Sequence, residues 1–132
     1  MQAYSLIAAA GLFVALAMPC AAADTSPDAL LARFSAEAAR PAQVHNGQQF
    51  FVSKHGHEWA CASCHGESPT QNGRHATTGK VLAPLAPAFN AKSLSDAAKV
   101  DKWFRRNCKD VLARECTAAE KADVLAWLIS IK

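Results

Sequence analysis

The sequence predicts an all-α domain, and three observations carry that reading. Apolar residues recur at i, i+3 and i+4 in several short stretches. Helix-start signals stand at Ser26-Pro27 and at Thr117-Ala118-Ala119-Glu120. No stretch reads as a strand, a repeat or a low-complexity segment.

Ahead of the first helix signal, residues 1–23 contain no charged side chain, while the remainder holds all 14 Lys+Arg and all 11 Asp+Glu. The apolar core Leu6–Met18 is followed by Pro19 and Ala21-Ala22-Ala23, the pattern of a secretory signal peptide cleaved after Ala23. A basic n-region is missing, and the apolar core falls short of the roughly 20 residues that a spanning helix needs. Cys20 follows Pro19, a poor match to a lipoprotein site. The expected organisation is therefore a signal peptide over 1–23 and one domain over 24–132, exported to the periplasm. The formal charge of +3 is carried entirely by that domain. With no basic run and no aromatic platform, it gives no reason to expect nucleic acid as a partner.

Within the domain, Ser26 caps a helix whose Leu30, Leu31 and Phe34 form an apolar stripe, ended by Pro41. A second helix is expected from about Pro41 to His55, with Gly47, Phe50 and Phe51 toward its packed side. A mid-helix glycine costs about 1 kcal/mol relative to alanine, so Gly47 implies close approach of another helix. From Gly66 to Asn90, Gly and Pro punctuate too often for a long helix. Val81, Leu82, Leu85 and Phe89 lie in this loop and are expected to cover a buried ligand. Ser95 is read as the cap of a helix over about Asp96–Asn107, with the stripe Val100, Trp103, Phe104 continuing to Asn107. The last helix opens on the capping box at Thr117 and carries Val124, Leu125, Trp127, Leu128 and Ile131, a face suited to the first helix.

The chemistry concentrates in Cys61-Ala62-Ser63-Cys64-His65. C-x-x-C-H is the attachment pattern of haem c: each thiol adds to a vinyl group and the histidine becomes the proximal iron ligand. A redox dithiol would want a strand-to-helix setting, and none is visible. A zinc site would need a second ligand pair at matching spacing, yet Cys108 lies 44 residues beyond Cys64. Haem use of Cys61 and Cys64 leaves Cys108 and Cys116 as a disulfide pair, which suits an oxidising compartment. Eight residues of continuous helix would separate them by about 12 Å. A disulfide tolerates about 7 Å, so the chain must turn back between Lys109 and Glu115.

The sixth iron position is the functional question. Both methionines, Met1 and Met18, lie in the leader, so the methionine ligation common in electron carriers is excluded once the leader is removed. His45, His55, His57, His75, a lysine, Asn107 or no protein ligand remain. His75 is the histidine alternative. Asn107 has an inward helical position and a neighbour expected to be disulfide-anchored. Its amide oxygen is a hard, weak donor that suits ferric better than ferrous iron.

Three segments, Thr78–Pro87, Lys99–Cys108 and Arg114–Leu128, resemble the sphaeroides haem protein family, also described as the DUF1924 domain. The resemblance covers most of the chain from about Gly47 onward. It implies a class I cytochrome c fold with one covalent high-spin haem c. Cys61 and Cys64 would be the attachment residues, His65 and Asn107 the axial ligands, and Cys108–Cys116 the disulfide. It further implies that Asn107 leaves the iron on reduction, so that O2 or NO binds, with CO as a further ligand. The implied electron donor is a dihaem cytochrome c, with a membrane cytochrome b upstream. A plain electron-transfer cytochrome and an O2- or NO-converting oxidoreductase are the alternatives.

Overall fold

The computed structural model describes residues 25–132; the expected leader 1–23 and Asp24 lie outside the described residues. Five helices occur in order among the described residues: α1 (Pro27–Ala38), α2 (Val44–Val52), α3 (Cys61–His65), α4 (Ala97–Leu112) and α5 (Ala118–Ser130). A two-residue antiparallel ladder, β1 (Gly73–Arg74) with β2 (Val81–Leu82), pairs Gly73 with Leu82 and Arg74 with Val81. This corrects the expectation that no strand forms. Two residues per strand are too few to show a period of two, which is why the sequence pattern does not announce them.

The ends of α1 follow local chemistry. The Ser26 hydroxyl accepts from the Ala29 N–H at 3.1 Å, and Pro27 occupies the first turn, where its missing N–H costs nothing. Ala39 closes the helix in a left-handed conformation, two residues before Pro41. Leu30 and Phe34, four residues apart, are both buried. At α5, Thr117 and Glu120 form the expected capping box: the Thr117 hydroxyl accepts from the Glu120 N–H, and Glu120 accepts from the Thr117 N–H.

α5 is the central element. Every residue from Ala122 to Leu128 is buried, and the helix packs against both α1 and α2. The α1–α5 pairing is the one expected from the apolar face of the last helix. The α2–α5 contact is closer still. A Cβ on Gly47 would overlap the backbone carbonyl of Asp123 and stand 2.9 Å from the Val124 nitrogen. Gly47 is therefore required by backbone approach, as its mid-helix position implies.

α2 is shorter than the expected span of about Pro41–His55, and no side chain of its own caps its first turn. Asp123 of α5 holds the N-cap residue Gln43 instead. Asp123 is 4 % exposed, and its carboxylate accepts from the Gln43 N–H at 2.7 Å and from both terminal nitrogens of Arg40 at 3.1 and 2.7 Å. The loop after α1 is thus tied to α5 by a charge-assisted fork.

α4 differs from its predicted bounds at both ends. Asp96, not Ser95, is the N-cap, accepting from the Lys99 N–H at 2.9 Å, while the Ser95 hydroxyl donates to the Lys92 carbonyl. An aspartate carboxylate answers the positive helix end better than a hydroxyl. The helix runs past Asn107 and Cys108 to Leu112 and ends at a left-handed Ala113, within the interval where the chain has to reverse. α4 is clasped to α1 by the Arg33–Asp101 fork at 2.6 and 3.0 Å and by the edge-to-face pair Phe34–Phe104.

Two outcomes are expected. Gly47→Ala destabilises the holoprotein by about 3 kcal/mol, the overpacking range for a site whose neighbour is backbone; thermal unfolding reads it as a lowered Tm. Glu120 is held below the usual carboxylate range by its Arg114 hydrogen bonds first, with burial opposing and Thr117 adding. Because the folded value lies under the unfolded one, this stabilisation is complete above about pH 4.3 and fades as pH falls through the folded value. Glu120→Gln is expected to lower Tm at neutral pH and to flatten its acid-side dependence.

Candidate functional site

The C-x-x-C-H motif forms α3. Its spacing places Cys61, Cys64 and His65 at i, i+3 and i+4, one face of a single helical turn. The Ser63 hydroxyl accepts from the Ala60 N–H at 2.9 Å and so secures the start of that turn. A hairpin then lies directly on the motif. A Cβ on Gly73 would overlap the Cys64 carbonyl, so this position also needs glycine, and the Ala76 N–H donates to the Cys64 sulfur at 3.3 Å. From the core side, Phe51 of α2 sits 6.2 Å from the His65 ring and 4.8 Å from the Trp127 ring, centroid to centroid. The α2–α5 packing therefore backs the histidine directly.

A cavity of about 1050 Å³ separates α3 from α4, which do not form a helix pair. Cys61, Cys64 and His65 line it from α3; Val100, Trp103, Phe104 and Asn107 line it from α4. Phe51, Val124 and Leu128 contribute the core side. Val81, Leu82 and Leu85 close the loop side, as expected, whereas Phe89 is 48 % exposed and stands outside the lining. The loop is held in place by its own hydrogen bonds: Leu85 and Ala86 donate to the Pro69 carbonyl, Ser93 to that of Leu85, and Asn90 to that of Pro84.

The volume stands at the upper end of about 300–1,000 Å³ for small-molecule pockets, and the chemistry of the lining fits haem c. Burial pushes the Cys61 thiol up to about 11, with the Cys64 charge adding and a backbone hydrogen bond opposing. That is the reverse of the depressed thiol pKa that a redox C-x-x-C requires. Among the described residues, no group of three or more His, Cys, Asp or Glu is placed to hold a metal, so the two thiols have no partners for a zinc site. Burial lowers the His65 pKa, favouring the neutral imidazole that an iron ligand must be. Lys80, Lys92, Lys99 and Arg106 line the cavity against Asp96 and Asp110, a cationic excess suited to the two carboxylates that haem carries.

The remaining candidates sort by position. His45 and His57 are exposed, and neither they nor His55 lines the cavity. The His55 Nε2 lies 2.7 Å from the Phe50 carbonyl and is the donor there. His75 does line the cavity, but it belongs to the hairpin rather than to a free loop. Its Nδ1 accepts from the Thr77 and Thr78 N–H groups at 3.2 and 3.3 Å. A ring whose Nδ1 is an acceptor carries its hydrogen on Nε2 and presents a donor there, not a lone pair. Asn107 is half-buried and precedes Cys108, which is joined to Cys116 with Cα atoms 5.5 Å apart. No sequence pattern singles out His75 as a hydrogen-bond donor, or Lys80 and Arg106 as rim cations, although Lys80 and Arg106 do lie inside the Thr78–Pro87 and Lys99–Cys108 segments.

A class I cytochrome c with covalently attached haem is what this fold and site define. Comparison with known proteins agrees. Residues 37–128 match the family described as "Domain of unknown function (DUF1924)". The chain is 43% identical over 121 residues to the cytochrome c-type protein SHP of Cereibacter sphaeroides, covering 89% of this chain and 93% of that one. It is 40% identical over 91 residues to cytochrome c'' of Methylophilus methylotrophus, covering 66% and 63%. A solved structure of oxidised SHP, an oxygen binding cytochrome c, superposes with a TM-score of 0.75 and covers 80% of this chain and 97% of that chain. Oxidised cytochrome c'' superposes at 0.67 with 34% identity, covering 79% and 93%. The chain belongs to the DUF1924 family, the sphaeroides haem proteins. Its cofactor is a covalently bound haem c.

The Cys108–Cys116 bridge closes a loop of eight residues at the end of the helix bearing Asn107. In the chain-entropy view such a loop contributes about 2.5 kcal/mol. Replacing both cysteines by serine is expected to lower the denaturation midpoint accordingly, measured on the haem-loaded protein.

Proposed function

We propose that this chain is a periplasmic monohaem cytochrome c that is reduced by a donor cytochrome and then binds a diatomic gas, O2 or NO. In this reading Cys61 and Cys64 hold the cofactor covalently, and His65 is the permanent axial ligand. Asn107 would be the second iron ligand of the oxidised protein, and the one released on reduction. When bound, haem supplies a one-electron couple and an exchangeable axial site. The leader 1–23 directs export, and the donor is a dihaem cytochrome c fed by a membrane cytochrome b.

The observation that carries the reading is that Asn107 lines the same cavity as Cys61, Cys64 and His65, in a domain without methionine after residue 23. No thioether is available, and the amide is the uncharged polar side chain that α4 contributes to the lining. As a hard, neutral oxygen donor it binds ferrous iron less well than ferric. Two relatives support a displaceable ligand: SHP is described as oxygen binding, and a solution study of cytochrome c'' concerns haem-ligand detachment.

The apolar lining from Val100, Phe104, Leu82 and Leu85 keeps water scarce around the amide, a setting in which a small uncharged gas competes well. His75, which lines the cavity, is held in one tautomer by its two backbone donors.

Absorption spectra of wild type and Asn107→Ala, ferric and ferrous, with and without CO, test the proposal. The ferric spectrum is expected to change in the variant, while ferrous CO binding persists in both. An identical ferric spectrum in Asn107→Ala would falsify the ligand assignment, as would a histidine- or lysine-type ferric spectrum in wild type.

A further inference from the structure

At the edge of the cavity, one surface is unlike the rest. α4 carries Lys99, Lys102, Arg105, Arg106 and Lys109 within eleven residues, all of them exposed. Lys99, Lys102, Arg106 and Lys109 stand at i, i+3, i+7 and i+10, which puts them on one helical stripe. Neighbours at these spacings repel one another, so the arrangement works against the stability of the helix that bears it. The acids on α4 do little to relieve it. Asp101 is occupied by Arg33 at 2.6 and 3.0 Å, leaving Asp110 beside the stripe. Trp103 adjoins the stripe, with the Lys102 ammonium 5.6 Å and the Arg106 guanidinium 5.3 Å from its ring centroid. Cation–π contact of this kind holds the two charged heads against one aromatic ring. Lys99, Trp103 and Arg106 also belong to the cavity lining, so the stripe borders the entrance to the cofactor.

We infer that this stripe is the docking surface for the electron donor, and that the donor meets it with an acidic face. The inference rests on the electron-accepting function proposed above and names the surface through which it is met. A concentrated field of one sign beside a redox centre raises the encounter rate with a partner of opposite sign. The Trp103 and Arg106 pair supplies the aromatic and guanidinium anchors typical of interface centres. An electron entering here arrives at the rim of the cavity rather than through the packed α1–α2–α5 side.

The test compares holoprotein of wild type with the double variant Lys102→Glu, Lys109→Glu. Neither residue lines the cavity, so the absorption spectrum and Tm serve as controls that the haem site is intact. The probe is a reduced dihaem cytochrome c of acidic isoelectric point, mixed in a stopped-flow instrument over a range of ionic strength; an uncharged reduced flavin is the second reductant. The variant is expected to be reduced by the acidic cytochrome about tenfold more slowly at low salt, with the difference closing at high salt. Both proteins are expected to react equally with the flavin. Equal low-salt rates for the two proteins with the acidic cytochrome overturn the surface while leaving electron acceptance standing. No reduction of wild type by that donor, with normal reduction by flavin, overturns the donor reading and this surface with it. Sedimentation of wild type, but not the variant, with phosphatidylserine vesicles, together with unaltered donor rates, assigns the stripe to a membrane and overturns the inference.

Discussion

The contact of α2 with α5 at Gly47 is the constraint on which the rest of the molecule depends. It brings two helix backbones together at the point where Asp123 turns its carboxylate to Arg40 and to the start of α2. One buried carboxylate thereby fixes the connection out of α1 and holds the N-cap residue of α2. The depth of that approach also sets where Phe51 sits, because it lies one helical turn from Gly47 on the same face. Phe51 lies on Trp127 on one side and beside His65 on the other. The position of His65 is therefore inherited from the packing of a helix pair to which it does not belong.

The other wall of the cavity has a separate origin. α4 reaches the body of the protein through Arg33–Asp101 and Phe34–Phe104, and its end is folded back by the Cys108–Cys116 bridge. Asn107 rides on that helix. The cavity thus has two walls with different supports: a packed core behind His65, and a clasped helix behind Asn107. The division suits the two unlike roles proposed for these residues. It also places the polar edge of α4, rather than the core helices, at the entrance.

Much of this was legible in the residues. Ser26-Pro27, the Thr117–Glu120 box and Gly47 each act through local sterics or local hydrogen bonds, so their consequences can be read without tertiary knowledge. Cys61, Cys64 and His65 are legible for the same reason, since their spacing is the helical turn that aligns them. Asp123 was not legible as an anchor, because its partners Arg40 and Gln43 lie 83 and 80 positions away. The extension of α4 to Leu112 was missed because the disulfide permits a helix on one side of the turn, and the spacing argument could not say which side. The His75 tautomer follows from a local turn that brings the Thr77 and Thr78 N–H groups to its ring, whereas the small ladder at Gly73 and Leu82 depends on how the loop is laid against α3. No sequence period encodes that contact.

The clasp between α1 and α4 also bears on how the cavity comes to be built. The Cys108–Cys116 loop spans eight residues, while Arg33 and Asp101 are 68 apart. Loop-closure entropy rises with that separation, and long-range contacts form late for this reason. The reversal after Leu112 can be completed locally, whereas the wall bearing Asn107 docks only when the distant partners meet. The wall bearing Asn107 thus depends on a contact of long reach, while Cys61, Cys64 and His65 share a single local turn.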